Sequence, residues 1–266
     1  MQPDRRATLS AARSAGAALL GLLALFALAA PALCPAGPAA RAGSALLPPS
    51  QAFPAGTDDL GRNVLCMTAF GLRTSLAMGA GAGAVGLTLG VAIGLAAGVL
   101  GGWTDLVLMR ATEVMQAVPR LFLVILASAL FEPNLPGLAV LIGLTSWAAL
   151  ARLARAEAMA VGAQDFVRAA RALGVSLPAI IRRHLLPNTL RPLVAAAAPL
   201  VAAAILAEAA LSYLGLGAPS TVSLGRMIAD AQPFLGVAWW MSAAPVGTLV
   251  LATFAVLLLS ETRRPA

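Results

Sequence analysis

The sequence has no lysine, although 18 of its 266 residues are arginine. A phosphate-binding loop of the Walker A type uses a lysine to reach the β- and γ-phosphates of a nucleotide. The chain therefore cannot carry a standard loop of this kind, and we expect no cofactor on it. If it takes part in work driven by ATP, a partner subunit must bind the ATP and its magnesium ion.

Histidine and cysteine are also scarce. His184 is the single histidine and lies in a charged segment, which excludes a serine–histidine dyad or a histidine-based zinc site inside a membrane. Glu113 and Glu208 are expected near opposite membrane surfaces, which argues against a protease with paired intramembrane carboxylates. Cys34 and Cys66 could pair in an oxidising compartment or remain two small apolar residues. No metal site is expected.

Charged residues make up only 11% of the chain, hydrophobic residues 60%, and the mean hydropathy is +0.88. This composition excludes a soluble globular domain. The abundance of alanine and glycine favours an all-α integral membrane bundle with close helix contacts over a β-barrel. The net charge of +7 then reports on membrane topology and does not indicate a nucleic-acid partner.

Long, predominantly apolar stretches predict about six transmembrane helices. The predicted spans are residues 17–33, 74–104, 106–130, 137–151, 192–213 and 237–260. The first stretch could instead be a signal peptide, because Ala30-Pro31-Ala32 matches a small-residue cleavage pattern; we expect it to be retained. Residues 1–70 would form an N-terminal helix and outer segment, and residues 71–266 a core of five transmembrane helices.

The distribution of arginine predicts the orientation of these spans. Thirteen arginines fall on one predicted side, whereas four lie on the other: Arg41, Arg62, Arg73 and Arg226. Because positively charged loops tend to stay in the cytoplasm, both termini are predicted to be cytoplasmic. Arg263 and Arg264 would close the chain on that side.

Two patterns lie inside the predicted spans. A four-residue repeat of glycine runs along the second span, at Gly86, Gly90, Gly94 and Gly98. Such a repeat lies on one helix face and favours close contact with a neighbouring helix, so we interpret it as a packing face. Arg120 and Glu208 are ionisable residues at membrane depth, where a functional role is the first hypothesis. Arg120 could also snorkel to the surface, and Glu208 could serve structural pairing, the role we favour for it.

The longest charged interruption is residues 152–191. It holds seven arginines: Arg152, Arg155, Arg168, Arg171, Arg182, Arg183 and Arg191. A short helix over residues 164–173 is predicted to end at Gly174, because glycine tolerates the left-handed conformation that follows a helix. Ser176 is predicted to cap a second helix, and Pro187 to stop it.

Four strings in this order resemble the C-type permease of dipeptide, oligopeptide and nickel importers of the ATP-binding-cassette (ABC) class. They are GTDDLGRNVL at 56–65, GGWTDLVLMR at 101–110, the Ala169-to-Asn188 loop pattern, and AEAALSYLGLG at 207–217. The resemblance implies a type I ABC importer permease fold in a bacterial inner membrane, without catalytic activity. It also implies a second permease subunit, two cytoplasmic ATPase subunits or domains, and an extracytoplasmic solute-binding protein.

By the same resemblance, the second helix of the loop would be the coupling helix, seated on the ATPase. The docking loop would comprise Arg168, Ala169, Ala170, Gly174, Ser176, Ile180, Ile181, His184, Leu185, Pro187 and Asn188. Ile180, Ile181 and Leu185 would supply its apolar contacts. Arg168 stands where the family usually has a glutamate, so the salt bridge of that glutamate cannot form. The alternatives are a loop lying on anionic lipid and a membrane scaffold or sensor that transports nothing.

Overall fold

The computed structural model describes residues 4–219 and 221–260, with side chains from residue 12 onward. Arg263 and Arg264 lie outside the described residues. Within these ranges the chain forms eleven α-helices and two isolated β-bridges. The helices are α1 Asp4–Leu33, α2 Val64–Leu100, α3 Gly102–Ala117, α4 Arg120–Phe131, α5 Leu135–Leu144, α6 Trp147–Gly162, α7 Asp165–Ala172, α8 Leu177–Ile180, α9 Leu186–Tyr213, α10 Leu224–Ala231 and α11 Trp240–Leu259.

Six membrane spans can be built from these helices. Four segments are long and apolar enough to cross a membrane alone: Ala12–Leu33, Val64–Leu100, Leu177–Tyr213 and Trp240–Leu259. Two further spans are bent pairs, α3 with α4 and α5 with α6. The all-α membrane fold predicted from composition is therefore confirmed. The division at residue 70 stays a prediction, and α2 runs across that position.

The third span differs from the continuous helix predicted over 106–130. It breaks between Ala117 and Arg120, and its two halves meet at 79°. Pro119 disfavours helical geometry in the residue before it, and Val118 accordingly has the extended angles φ −88° and ψ 131°. The fourth span is longer than predicted, because α6 continues to Gly162 after a 50° bend.

The second span begins ten residues earlier than the predicted start at residue 74. Asn63 caps α2, since its side-chain oxygen accepts hydrogen bonds from Leu65 N at 2.9 Å and Cys66 N at 3.4 Å. An asparagine at this position satisfies backbone donors that have no partner in the first turn. The polar GTDDLGRN segment is therefore the start signal of a helix and not part of an outer loop alone.

The glycine repeat of α2 is a packing face, as predicted. A Cβ atom on Gly90 would lie 2.6 Å from Leu150 Cβ, and one on Gly98 would lie 2.9 Å from Arg155 O. Gly94 faces Ala151 and Ala154 even more closely, and Gly86 lies beside Leu200. Because these glycines have no side chains, α2 approaches the backbone of α6 along three turns. This contact fixes the position of α6, the helix that leads toward α7.

The first helix packs against the rest of the bundle. Ala27 is buried with Leu72 of α2 and Ala252 of α11. At Gly16 an added Cβ would lie 2.6 Å from Leu258 Cβ. These contacts with two other spans favour a retained membrane helix over a signal peptide.

The segment between α1 and α2 is tied down at both ends. Cys34 and Cys66 form a disulfide with a Cα–Cα distance of 6.0 Å, which settles the alternative left open by the sequence. Thr57 is fully buried, and its carbonyl accepts a hydrogen bond from Trp240 Nε1 at 3.1 Å. Asp58 pairs with Arg62 at 2.5 Å. Residues 34–63 thus form a fixed cap on one end of the bundle.

Candidate functional site

The charged segment begins inside α6, and after α6 ends it forms the short helix that the sequence predicts. Helix α7 spans Asp165–Ala172, flanked by Gln164 and Leu173 as caps. Gly174 follows with φ +76°, and no atom lies within 4 Å of the position that its Cβ would take. Backbone hydrogen bonds from Gly174 N to Arg171 O at 3.0 Å and from Val175 N to Ala170 O at 3.1 Å close the turn. Glycine is therefore required here by backbone conformation and not by space.

The second helix of the loop does not stop at Pro187, and this prediction was wrong. Helix α8 passes through a π-helical turn at Ile181–Leu185 into α9, so that Leu177–Tyr213 forms one 37-residue span. Leu186 N donates to Ile181 O, five residues back. Pro187 is the second residue of α9, just after the π-helical turn, so the chain remains helical on both sides of this proline. The predicted coupling helix is consequently the base of span five itself.

Ser176 also behaves differently from the prediction. It has the extended angles of an N-cap residue, φ −63° and ψ 146°, but its side chain makes no capping hydrogen bond. A cap side chain bonds the N–H of the second or third helical residue, and the second residue here is Pro178, which has none. Ser176 contributes to the start of the helix through its backbone, because Ile180 N donates a hydrogen bond to Ser176 O at 3.0 Å.

Ile180 and Leu185 are buried, so the prediction that they contact an ATPase was wrong. Their exposed fractions are 1% and 0%. They belong to a core cluster with Val167 of α7 and Leu193 of α9, against which Ile181 is also packed. The helical period turns these side chains toward α2 and α6, and they anchor the loop to the bundle.

The exposed apolar residues of the loop are different ones. Leu173 is 83% exposed, Phe166 44% and Leu177 39%. The same segment carries four exposed arginines: Arg168, Arg171, Arg182 and Arg183. We call these seven residues the loop face. The sequence analysis did not identify its apolar members. Phe166 directly precedes Val167 on α7, and because Val167 faces the core, Phe166 points away from it.

Several contacts make the loop a compact unit. The rings of Phe166 and His184 lie 5.7 Å apart. The side-chain nitrogen of Asn188 donates to His184 O at 2.6 Å. Arg168 approaches Asp165 at 3.7 Å, with both side chains exposed, a geometry that contributes little to stability. Ala169 is exposed, whereas Ala170 packs partly against the core cluster.

An ion pair that the sequence reasoning did not identify links α6 to α3. Arg155 Nε and Nη2 bind the two carboxylate oxygens of Asp105, each at 2.5 Å. Asp105 lies in the first turn of α3, within the string that resembles known permeases. Its place in that string is the sequence signal that could have drawn attention to Asp105.

Glu208 lies inside the bundle, at 1% exposure. Ser212 Oγ donates to its carboxylate at 2.8 Å and Ser75 Oγ at 3.3 Å. Ser212 and Ser223 also line a cavity of about 460 Å³ together with Glu132 and Arg226. The carboxyl group is therefore hydrogen-bonded between α2 and α9, close to an opening, and its role in a path or in packing stays a prediction.

Arg120 is the first residue of α4, directly after the break in the third span. It is half-buried, and its role also stays a prediction. Within the described part of the chain, no three histidine, cysteine, aspartate or glutamate side chains lie close enough to hold a metal ion.

A family model described as "Binding-protein-dependent transport system inner membrane component" matches residues 90–262, which include the loop face and the ion pair. The chain belongs to this family. The oligopeptide transport system permease protein OppC of Bacillus subtilis is 32% identical over 82% of the chain and 72% of its own length. The dipeptide permease protein DppC of the same species is 35% identical, over 81% of the chain and 68% of its own length.

OppC of Escherichia coli K12 is 38% identical over 79% of the chain and 70% of its own length. These similarities confirm the predicted resemblance to ABC importer permeases. As a permease of a binding-protein-dependent system, the protein is an integral inner-membrane subunit. The matched region begins within α2, at the second glycine of the repeat, so Gly90, Gly94 and Gly98, the loop and the last two spans lie in the part shared by the family, whereas Gly86 precedes it.

Proposed function

We propose that the protein is the C-type permease subunit of an ABC importer for peptides, forming half of the translocation path with a second permease. The relatives whose names specify dipeptides or oligopeptides support peptides as the cargo. A nickel chelate is the second cargo class compatible with the sequence resemblance. An extracytoplasmic binding protein would deliver the solute, and two cytoplasmic ATPase subunits or domains would bind the ATP and magnesium.

The observation that carries this proposal is the continuity of Leu177–Tyr213. The loop face extends from α7 to the π-helical turn. That turn belongs to the same continuous helix as span five. Movement of a partner that holds Leu173 and Leu177 would be transmitted along this helix to Glu208 and the adjoining cavity. A flexible loop on the lipid surface would not need an anchored core beneath it.

The orientation proposed is cytoplasmic for the loop face and for both termini. The disulfide between Cys34 and Cys66 supports it. Disulfides persist in oxidising compartments, and these cysteines follow span one and begin span two, at the end of the bundle opposite to the loop in a six-span topology. Thiol or protease accessibility from each side of sealed vesicles measures this orientation directly.

The experiment that tests the function is reconstitution with a second permease, ATPase subunits and a solute-binding protein from the same organism. An importer permease should retain ATPase subunits during purification, and peptide-loaded binding protein should stimulate ATP hydrolysis and uptake into vesicles. Competition by unlabelled dipeptides, but not by a nickel chelate, identifies the cargo. Lack of ATPase association and of stimulated hydrolysis would support the scaffold or sensor alternative instead.

A further inference from the structure

One groove in the membrane-embedded surface carries charge at one end only. It lies between α1, α2, α9 and α11 and has a volume of about 730 Å³. Every lining residue is alanine, glycine, valine, leucine or isoleucine, except Arg13 and Arg191. Both arginines are exposed, and among residues 12–219 and 221–260 no carboxylate lies within ion-pair distance of either.

The arginines occupy corresponding levels on two helices. Arg13 lies at the start of the apolar stretch Ala12–Leu33, and Arg191 follows the π-helical turn at the base of span five. In the predicted topology both positions fall at the cytoplasmic surface. Guanidinium groups at this level face lipid phosphates and attract anionic headgroups.

The groove has the depth of one lipid leaflet. From Arg13 it reaches Ala24 on α1, and from Arg191 it reaches Ile205 on α9. At 1.5 Å per residue these helix lengths are about 16 Å and about 21 Å. One leaflet of hydrocarbon is about 15 Å thick, half of a core of about 30 Å. An acyl chain that starts at the arginines would therefore lie against apolar side chains along its whole length.

From this charge placement and depth, we infer that the groove is a binding site for an anionic phospholipid, whose phosphate lies between Arg13 and Arg191 and whose acyl chains fill the apolar part. The phosphate accepts hydrogen bonds from both guanidinium groups. Because Arg191 belongs to the helix that carries the loop face, a bound lipid braces the base of that helix against α1. The site does not depend on which solute is transported.

Lipid binding to the purified full-length chain in a neutral detergent tests this inference. Phosphatidylglycerol and phosphatidylcholine of identical acyl composition are titrated, and bound lipids are counted by native mass spectrometry. We expect one phosphatidylglycerol to bind saturably and more tightly than phosphatidylcholine. Arg13→Gln or Arg191→Gln should weaken phosphatidylglycerol binding about fivefold, and the double variant on the order of twentyfold.

Two matched variants keep the result interpretable. Arg152→Gln removes an exposed arginine on the same predicted side, outside the groove, and should leave binding unchanged. Replacing both groove arginines by lysine keeps the charge and should retain most of the affinity, which separates charge from misfolding. Equal affinity for the two lipids, or unchanged binding by the double glutamine variant, overturns the inference.

The competing occupant is a helix of the second permease. A photoreactive residue at Ala84, an exposed position in the groove, distinguishes the two in the assembled complex. Cross-linking to phospholipid supports the inference. Cross-linking to the second permease overturns it, because the groove would then be a subunit interface.

Discussion

Asp105 and Arg155 form a bidentate ion pair that joins the start of α3 to the middle of α6, with both oxygen–nitrogen distances at 2.5 Å. The side chains are 21% and 34% exposed, respectively. Arg155 also stands beside Gly98, whose missing side chain lets α2 approach the Arg155 carbonyl. Three helices therefore meet at one residue, seven positions before α6 ends.

Asp105→Asn should weaken this junction by about 1 kcal/mol, since a partly exposed bidentate pair contributes near the upper end of the range for surface pairs. Thermal unfolding of the purified protein in detergent measures the loss. Glu113→Gln is the matched control, because Glu113 pairs with Arg110 at 2.7 Å on the same helix but with both side chains more than half exposed. Exchanging Asp105 and Arg155 for each other should restore stability. Equal losses for Asp105→Asn and Glu113→Gln would contradict a structural role for the pair of Asp105 and Arg155.

Gly94→Val should prevent the close packing of α2 on α6. Its side chain would collide with the Ala151 carbonyl and with Ala154, neither of which is a flexible side-chain end. Overpacking of this kind costs about 1–3 kcal/mol. The measurement is the yield of monodisperse protein after solubilisation. Gly21→Val, at a position with no atom within 4 Å, is the control, and equal yields of the two variants would argue against a packing role for the repeat.

Glu208→Gln and Glu208→Leu separate hydrogen bonding from charge. Glutamine keeps a carbonyl oxygen that can accept from one of the two hydroxyl groups, and its amide N–H can donate to the other, so stability should remain close to that of the unmodified protein. Leucine leaves both hydroxyl groups without this buried acceptor, at a cost of about 1–3 kcal/mol. Unfolding temperature in detergent and uptake by the reconstituted complex are measured together. If Glu208→Gln abolishes uptake without any change in stability, the carboxylate acts in the path and not in packing.

Replacing both Cys34 and Cys66 by serine should lower stability by about 4 kcal/mol, the value expected for a cross-link between residues 32 positions apart. The remaining contacts of the cap, including Trp240 to Thr57, should preserve the fold and the insertion of the spans. Thermal unfolding with and without reductant checks the prediction. Reductant should have no effect on the double variant. Rapid thiol labelling of the unreduced native protein would show that the two cysteines are not paired.

Much of the fold followed from composition and charge. Predominantly apolar stretches located all six spans, and the repeat at Gly86 to Gly98 located a packing face. The errors occur where tertiary context overrides a local signal. Pro119 was predicted to lie inside a continuous helix, but the helix breaks at this proline. Pro187 was predicted to end a helix, but a π-helical turn continues the helix there. Neither outcome can be derived from proline alone, because its effect depends on which backbone acceptors the surroundings satisfy.

The candidate site was predicted in position but not in orientation. Gly174 and the short helix before it were found as expected. Ile180 and Leu185 were assigned to a partner surface because they are apolar residues in a charged loop, yet they face the protein's own core. A single sequence cannot tell an apolar side chain that meets a partner from one that meets α2. The pair Asp105 and Arg155 lies 50 residues apart, and no periodic pattern connects such residues.

The central claim is that the loop face, and not the buried side of the same segment, contacts the ATPase. Both cysteines of the sequence are in a disulfide, so a cysteine introduced by Leu173→Cys or Ile180→Cys is the only free thiol available for a short cross-linker. In the assembled complex, the account predicts efficient cross-linking to the ATPase from position 173 and almost none from position 180. Cross-linking from position 180 and not from position 173 would contradict it.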